Sequence, residues 1–170
     1  MSSVIPADLT LPPASTVRDV DPTAAPPEIR TRAGETVFVS SVHREELEAY
    51  CREHRMPVRA RYDVWGDLLE PFVDTEFTPA RQAATLSRLG RAGLGEARVS
   101  DIRAQVGPLM RAYNGLHWDW CGLGLADLLD AAHADWIPEE LRVPPAGQPA
   151  FRAWAMGIAE LGAELDRDAR

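Results

Sequence analysis

The chain has 170 residues, a formal net charge of −8 and no lysine among its 18 basic residues. That length fits one domain of ordinary size, and 45% hydrophobic with 26% charged residues is globular usage. No run of about 18 uncharged residues offers a membrane helix, and the missing lysines exclude a Walker phosphate loop, a lysine Schiff base and a lysine general base. Arginine in every basic position fits GC-rich coding, and the negative balance favours solubility while arguing against a duplex-coating protein.

Two cysteines, Cys51 and Cys121, are too few for the disulfide framework of a small secreted module. The opening residues carry neither a basic start nor an apolar run of signal-peptide length, so the expected compartment is the cytoplasm.

In chain order, residues 1–34 hold six of the 14 prolines and no aromatic residue. Such a stretch buries too little apolar surface to offset its ordering entropy, and it reads as a disordered arm. Within it, Val4-Ile5-Pro6 and Leu9 to Pro13 are the only apolar clusters. Thr36 to Val39 then form a short β-prone run, and Ser40 or Ser41 caps a helix over about 42–55. On that helix Leu47, Tyr50, Cys51 and His54 share a face that should be buried. Met56-Pro57 ends it, and Val58, Ala60 and Tyr62 alternate with arginines as a half-exposed strand, making a small βαβ unit.

From Asp63 onward the signals are helical. Asp63 caps a helix carrying Val64, Trp65, Leu68 and Leu69, and Thr78-Pro79 opens another that runs to about Gly90 with Leu86 and Leu89 inward. After the Gly93-Leu94-Gly95 turn, Val99, Ile102 and Val106 mark the next helix face. Pro108 is read as starting a long helix to about His133, with Asn114-Gly115 as its weak point. A last helix from about Pro149 buries Phe151, Trp154, Ala155, Ile158, Leu161 and Leu165. The fold expected is mainly α: a compact five- to six-helix domain over 35–170, with a short N-terminal β element and the disordered proline-rich arm. Its five tryptophans anchor the core, one or two of them at a surface groove.

Three constellations carry candidate chemistry. Cys51 and His54 (i, i+3), with His117 and Cys121 (i, i+4), could surround zinc if their helices met, two thiolates and two imidazoles being a tetrahedral donor set. The same residues fit equally well as small apolar and hydrogen-bonded core positions. The segment 81–118 carries six arginines against two acids inside an acidic chain. Helix, glycine turn and helix there partly resemble a DNA-binding helix-turn-helix centred on 81–106, whose contacts would come from Arg88, Arg91, Arg98 and Arg103. An αα-hairpin with internally paired arginines explains the pattern as well. Other pairings are weaker: Asp130 with His133, His43 with Glu46, Asp74 with Glu76, and His117-Trp118-Asp119, whose i and i+2 side chains diverge on a helix. No Gly-x-Ser-x-Gly elbow or dinucleotide fingerprint is present.

The sequence therefore reads as a small soluble bacterial protein that acts by binding another protein, as an adaptor, modulator or immunity-type inhibitor, without catalysis. Its acidic surface suits a basic partner; no membrane, nucleic acid or cofactor other than zinc is called for. The helix-turn-helix regulator and a zinc-bound helical protein or enzyme are the alternatives.

Overall fold

The computed structural model describes residues 11–73, 78–117 and 122–168, and divides the chain into two compact units, 1–61 and 62–170. Among the described residues the fold is mainly helical, with six α-helices and one small antiparallel sheet near the N-terminus.

The first unit is a three-stranded meander of β1 (Val17–Asp21), β2 (Glu28–Thr31) and β3 (Thr36–Phe38), followed by α1 (Arg44–His54). Val20 pairs with Ile29, and Ile29 with Val37, so these side chains fall on one sheet face. Together with Val17 and Val39 they pack on Leu47 and Cys51 of α1, and Leu11, Tyr50 and Met56 close the rim. The expected disordered arm over 1–34 is thus corrected from residue 14 onward: a 3-10 turn (Ala14–Thr16), β1 and β2 lie within it. Proline count misleads because Pro22, Pro26 and Pro27 all fall in the β1–β2 connection, where no ladder hydrogen bond is forfeited. Asp21 builds that connection: its Oδ1 accepts from Thr23 N (3.0 Å), Thr23 Oγ1 (2.7 Å) and Ala24 N (3.2 Å).

The anticipated βαβ crossover exists in reduced form. Residues after α1 meet β1 at a single parallel bridge, Val20 with Val58, through Val20 N to Pro57 O and Arg59 N to Val20 O, both 2.9 Å. His54 departs from the expected buried face. It is exposed and lies against Tyr50 at 4.6 Å between ring centroids, because it falls in the last turn, beyond the sheet residues that cover Leu47 and Cys51.

The second unit contains α2 (Val64–Leu69), α3 (Pro79–Arg91), α4 (Glu96–His117), α5 (Leu125–Ala131) and α6 (Gln148–Asp168). Both sequence-read caps are present, Asp63 Oδ1 accepting from Gly66 N (2.8 Å) and Thr78 Oγ1 from Arg81 N (3.3 Å). Between α3 and α4, Gly93 takes φ +83°, while Leu94 N donates to Leu89 O (2.9 Å) and Gly93 N to Gly90 O (3.0 Å), a Schellman closure.

Pro108 does not open a new helix as expected; α4 passes through it. Pro108 and Ala104 are both exposed, so the carbonyl left without a donor faces water. The buried stripe Ile102, Val106, Leu109, Met110 and Tyr113 runs unbroken past the proline and holds the helix together. Asn114 is likewise no break: it is buried and its Nδ2 donates to Phe72 O (3.0 Å). The long helix expected to His133 is not continuous: α4 is described to His117, residues 122–124 are not helical, and α5 begins separately, where Asp127 Oδ2 accepts from Gly124 N (2.8 Å). Trp65 is fully buried, donates Nε1 to Ala155 O (2.8 Å) and meets Trp154 edge-on at 5.6 Å. No helix among the described residues is long and apolar enough to cross a membrane.

Candidate functional site

The arginine-rich hairpin has the most developed polar chemistry in the second unit, and much of it points inward. Arg88, one turn before the end of α3, donates Nε and Nη2 to Asp67 Oδ2 (2.6 Å) and Oδ1 (2.8 Å), a planar fork on one carboxylate. The Tyr62 hydroxyl donates to the same Asp67 Oδ2. Burial first, and then the hydrogen bond to Asp67, push the Tyr62 phenol well above its usual range, while the Asp67 bond raises the Arg88 guanidinium.

One turn along, Glu70 accepts from Arg81 Nε and from the fully buried Thr85 Oγ1. Arg103 reaches from α4 to donate Nε to Leu68 O and Nη2 to Asp67 O, both 3.0 Å, which satisfies carbonyls in the last turn of α2. Burial lowers the Arg103 guanidinium, opposed by Glu70 and Asp67.

Of the four arginines expected to meet nucleic acid, Arg88 and Arg103 therefore bind α2, whereas Arg91 and Arg98 are exposed. Leu94, Val99 and Ile102 are buried as in a helix-turn-helix, all 5% exposed or less, whereas the fully buried Leu89, four before Gly93, stands where such motifs favour a small residue. The outward positions on the first turns of α4 are Glu96, Ala97, Arg98, Ser100, Asp101, Ala104 and Gln105. Glu96 and Asp101 there repel phosphate and offset the single exposed arginine, Arg98.

The cysteine and histidine set divides between the units. Cys51 is buried in the α1 core, and burial followed by the Glu48 charge pushes its thiol up, which favours the protonated form over the thiolate a metal needs. His54 points to solvent from the same helix. His117 closes α4 with its side chain outside the described residues, and Cys121 lies outside them altogether, as do Asp74, Glu76, Trp118, Asp119 and Trp120. Among the described residues no group of three or more His, Cys, Asp or Glu is arranged to hold a metal ion. Asp130 and His133 turn to separate partners: Asp130 Oδ2 accepts from Tyr113 OH (3.2 Å), and His133 Nδ1 lies 2.8 Å from Leu129 O. His43 and Glu46 form a partly exposed pair at 3.6 Å.

Two features escaped the sequence reading. The first is a layer of buried charge on the sheet, made of Asp19, Asp21 and Arg30, each 3% exposed or less, with Arg61 beside them. Arg61 donates its backbone N to Asp21 Oδ2 (2.8 Å) and Nη2 to Asp19 Oδ1, while Arg30 clasps Glu28 Oε2 through Nε (3.2 Å) and Nη2 (2.8 Å). Alternation of charge along 18–21 and 28–30 was the available signal, hidden by the proline count. The second is which tryptophan stands at the surface: Trp136, one of the five expected at the core or a surface groove, is 41% exposed in the turn after α5. Its ring meets Tyr113 at 5.1 Å. Comparison with family models, with curated proteins and with solved structures finds no match to this chain.

Proposed function

We propose that the chain acts as a non-enzymatic protein-binding module whose partner is basic. The observation that carries this reading is the inward commitment of Arg88 and Arg103 to α2, which leaves Arg98 as the exposed arginine on the first turns of α4, between Glu96 and Asp101. An arginine-rich segment that looks cationic in sequence thereby contributes less positive charge to the surface than its count implies. The 17 acids against 10 arginines of residues 62–170 make the helical unit an attractive surface for a cationic partner.

The helix-turn-helix reading keeps one specific support, the Schellman turn with buried Leu94, Val99 and Ile102. Titration of a mixed-sequence duplex at physiological salt separates the two. The protein-binding reading expects no saturable complex. Submicromolar binding that Arg91→Ala and Arg98→Ala weaken, with a reduced salt slope, would reverse the ranking. On the positive side, photo-crosslinking in cells from exposed α3 and α5–α6 positions should capture one recurrent protein that reassociates with the purified chain. Failure of any such pair to reassociate refutes the module.

A further inference from the structure

We infer that the Trp136 corner of the helical unit docks an arginine-bearing segment of another protein, an inference that rests on the protein-binding reading. Residues 132–143 form a compact turn in which Ile137 N donates to Ala134 O (3.1 Å) and Val143 N to Ala132 O (3.0 Å). Ile137 is 2% exposed and pins the turn to the core, so its neighbour Trp136 is presented at the surface by a fixed backbone. The indole is braced on Tyr113, itself 7% exposed and anchored to Asp130, with ring planes inclined at 35°.

Carboxylates flank this aromatic in the chain. Asp135 precedes it and is fully exposed, and the exposed Glu139 and Glu140 follow in the 3-10 turn Glu139–Leu141. One cation, Arg142, sits at 3.5 Å from Asp135, a contact too long and too solvated to neutralise the corner. An indole on fixed backbone with exposed carboxylates before and after it in the chain suits a guanidinium on both counts, since the guanidinium plane can stack on the ring while its N–H groups reach carboxylate oxygens. Exposed tryptophans on fixed backbone are the residue type that dominates binding energy at interfaces. A nucleic acid strand would meet the same carboxylates as repulsion.

The test uses the full chain and reads the tryptophan indole N–H resonances, with that of Trp136 assigned through Trp136→Phe. The probe is a short capped peptide of alternating arginine and glycine, compared with the same peptide carrying glutamine for arginine. The expected result is a saturable shift of the Trp136 resonance with the arginine peptide alone. Trp136→Ala and the Glu139→Gln/Glu140→Gln pair should each weaken binding at least about threefold, and added salt should weaken it further. Equal binding by Trp136→Ala, or shifts that leave the Trp136 resonance unmoved, overturns the assignment. So does concentration-dependent self-association lost in Trp136→Ala, since the exposed Arg52, Arg55 and Arg59 of a second copy would then be the occupant. If the peptide fails here while crosslinking from α3 still captures a reassociating protein, the corner falls and the protein-binding module stands.

Discussion

Gly162 and Gly157 lie on the same helix, α6, and the same substitution at each should have opposite effects. Replacing a helical glycine by alanine removes backbone freedom from the unfolded chain and gains up to about 1 kcal/mol where space is open. At Gly157 a Cβ meets nothing within 4 Å, so Gly157→Ala should raise stability by roughly that amount. At Gly162 the Cβ would fall 2.1 Å from the Tyr62 carbonyl oxygen and 3.2 Å from Val64 Cγ2. A carbon and a carbonyl oxygen need more than about 3 Å, so α6 or the backbone entering α2 must move by about 1 Å. The contact is with backbone and offers no rotamer escape, which sets the cost at the overpacking scale, about 1–3 kcal/mol. For a chain of this size 1 kcal/mol shifts the melting midpoint by roughly 2–4 °C. Thermal unfolding followed by far-UV circular dichroism should therefore place Gly157→Ala slightly above wild type and Gly162→Ala several degrees below it. A Gly162→Ala midpoint at or above wild type would refute the close approach of α6 to Tyr62.

Deleting residues 1–34 removes β1 and β2, and hydrogen exchange should show the α1 amides losing their protection, because Leu47 and Cys51 then have no sheet to pack on. Protection unchanged in α1 would restore the reading of that segment as a dispensable arm. Arg88→Ala should cost about 1–3 kcal/mol by leaving Asp67 without its fork, with Arg88→Lys recovering only part, whereas Arg98→Ala should stay within about 0.5 kcal/mol; equal effects would refute the structural assignment of Arg88. Tyr62 has a phenol raised by burial and by Asp67, so the folded state holds its proton where the unfolded chain begins to release it near pH 10. Its contribution is full below that pH and lost above it. Chemical denaturation against pH should show a decline beginning near pH 10 that Tyr62→Phe reduces; an identical alkaline decline in the variant would sink this account.

Where the fold was legible, a local rule coincided with the tertiary answer. Asp63 and Thr78-Pro79 are caps in sequence and in structure because N-cap chemistry needs only its own first turn. The Val99, Ile102 and Val106 stripe was readable for the same reason, as 3.6-residue periodicity is internal to the helix. Pro108 was misread because whether a proline ends a helix depends on what faces the freed carbonyl, and that is decided by burial of Leu109, Met110 and Tyr113 further along. The strands of residues 17–31 were missed because their buried faces carry Asp19, Asp21 and Arg30. Composition scores these as solvated, although a partner forty or more residues away makes the polar layer possible, Arg61 reaching Asp19 and Asp21, while Arg30 is held by Glu28 on its own strand.

The same argument governs the candidate site. Arginine count located the segment 81–118 correctly as unusual, but a count assigns every guanidinium to the surface. Arg88 and Arg103 instead complete α2, a helix of six residues whose last carbonyls and whose Asp67 have few other donors within reach. A short helix wedged between two longer ones needs cations from its neighbours, and α3 and α4 supply them from positions one turn apart in role but 15 residues apart in sequence. Part of the charge that looks available to a ligand, that of Arg88 and Arg103, is thus consumed in assembling the bundle. Over residues 62–170 acids still outnumber arginines 17 to 10, and the chain around Trp136 carries Asp135, Glu139 and Glu140, so the partner chemistry inferred for that corner is the reverse of what the arginine-rich hairpin suggests on its own.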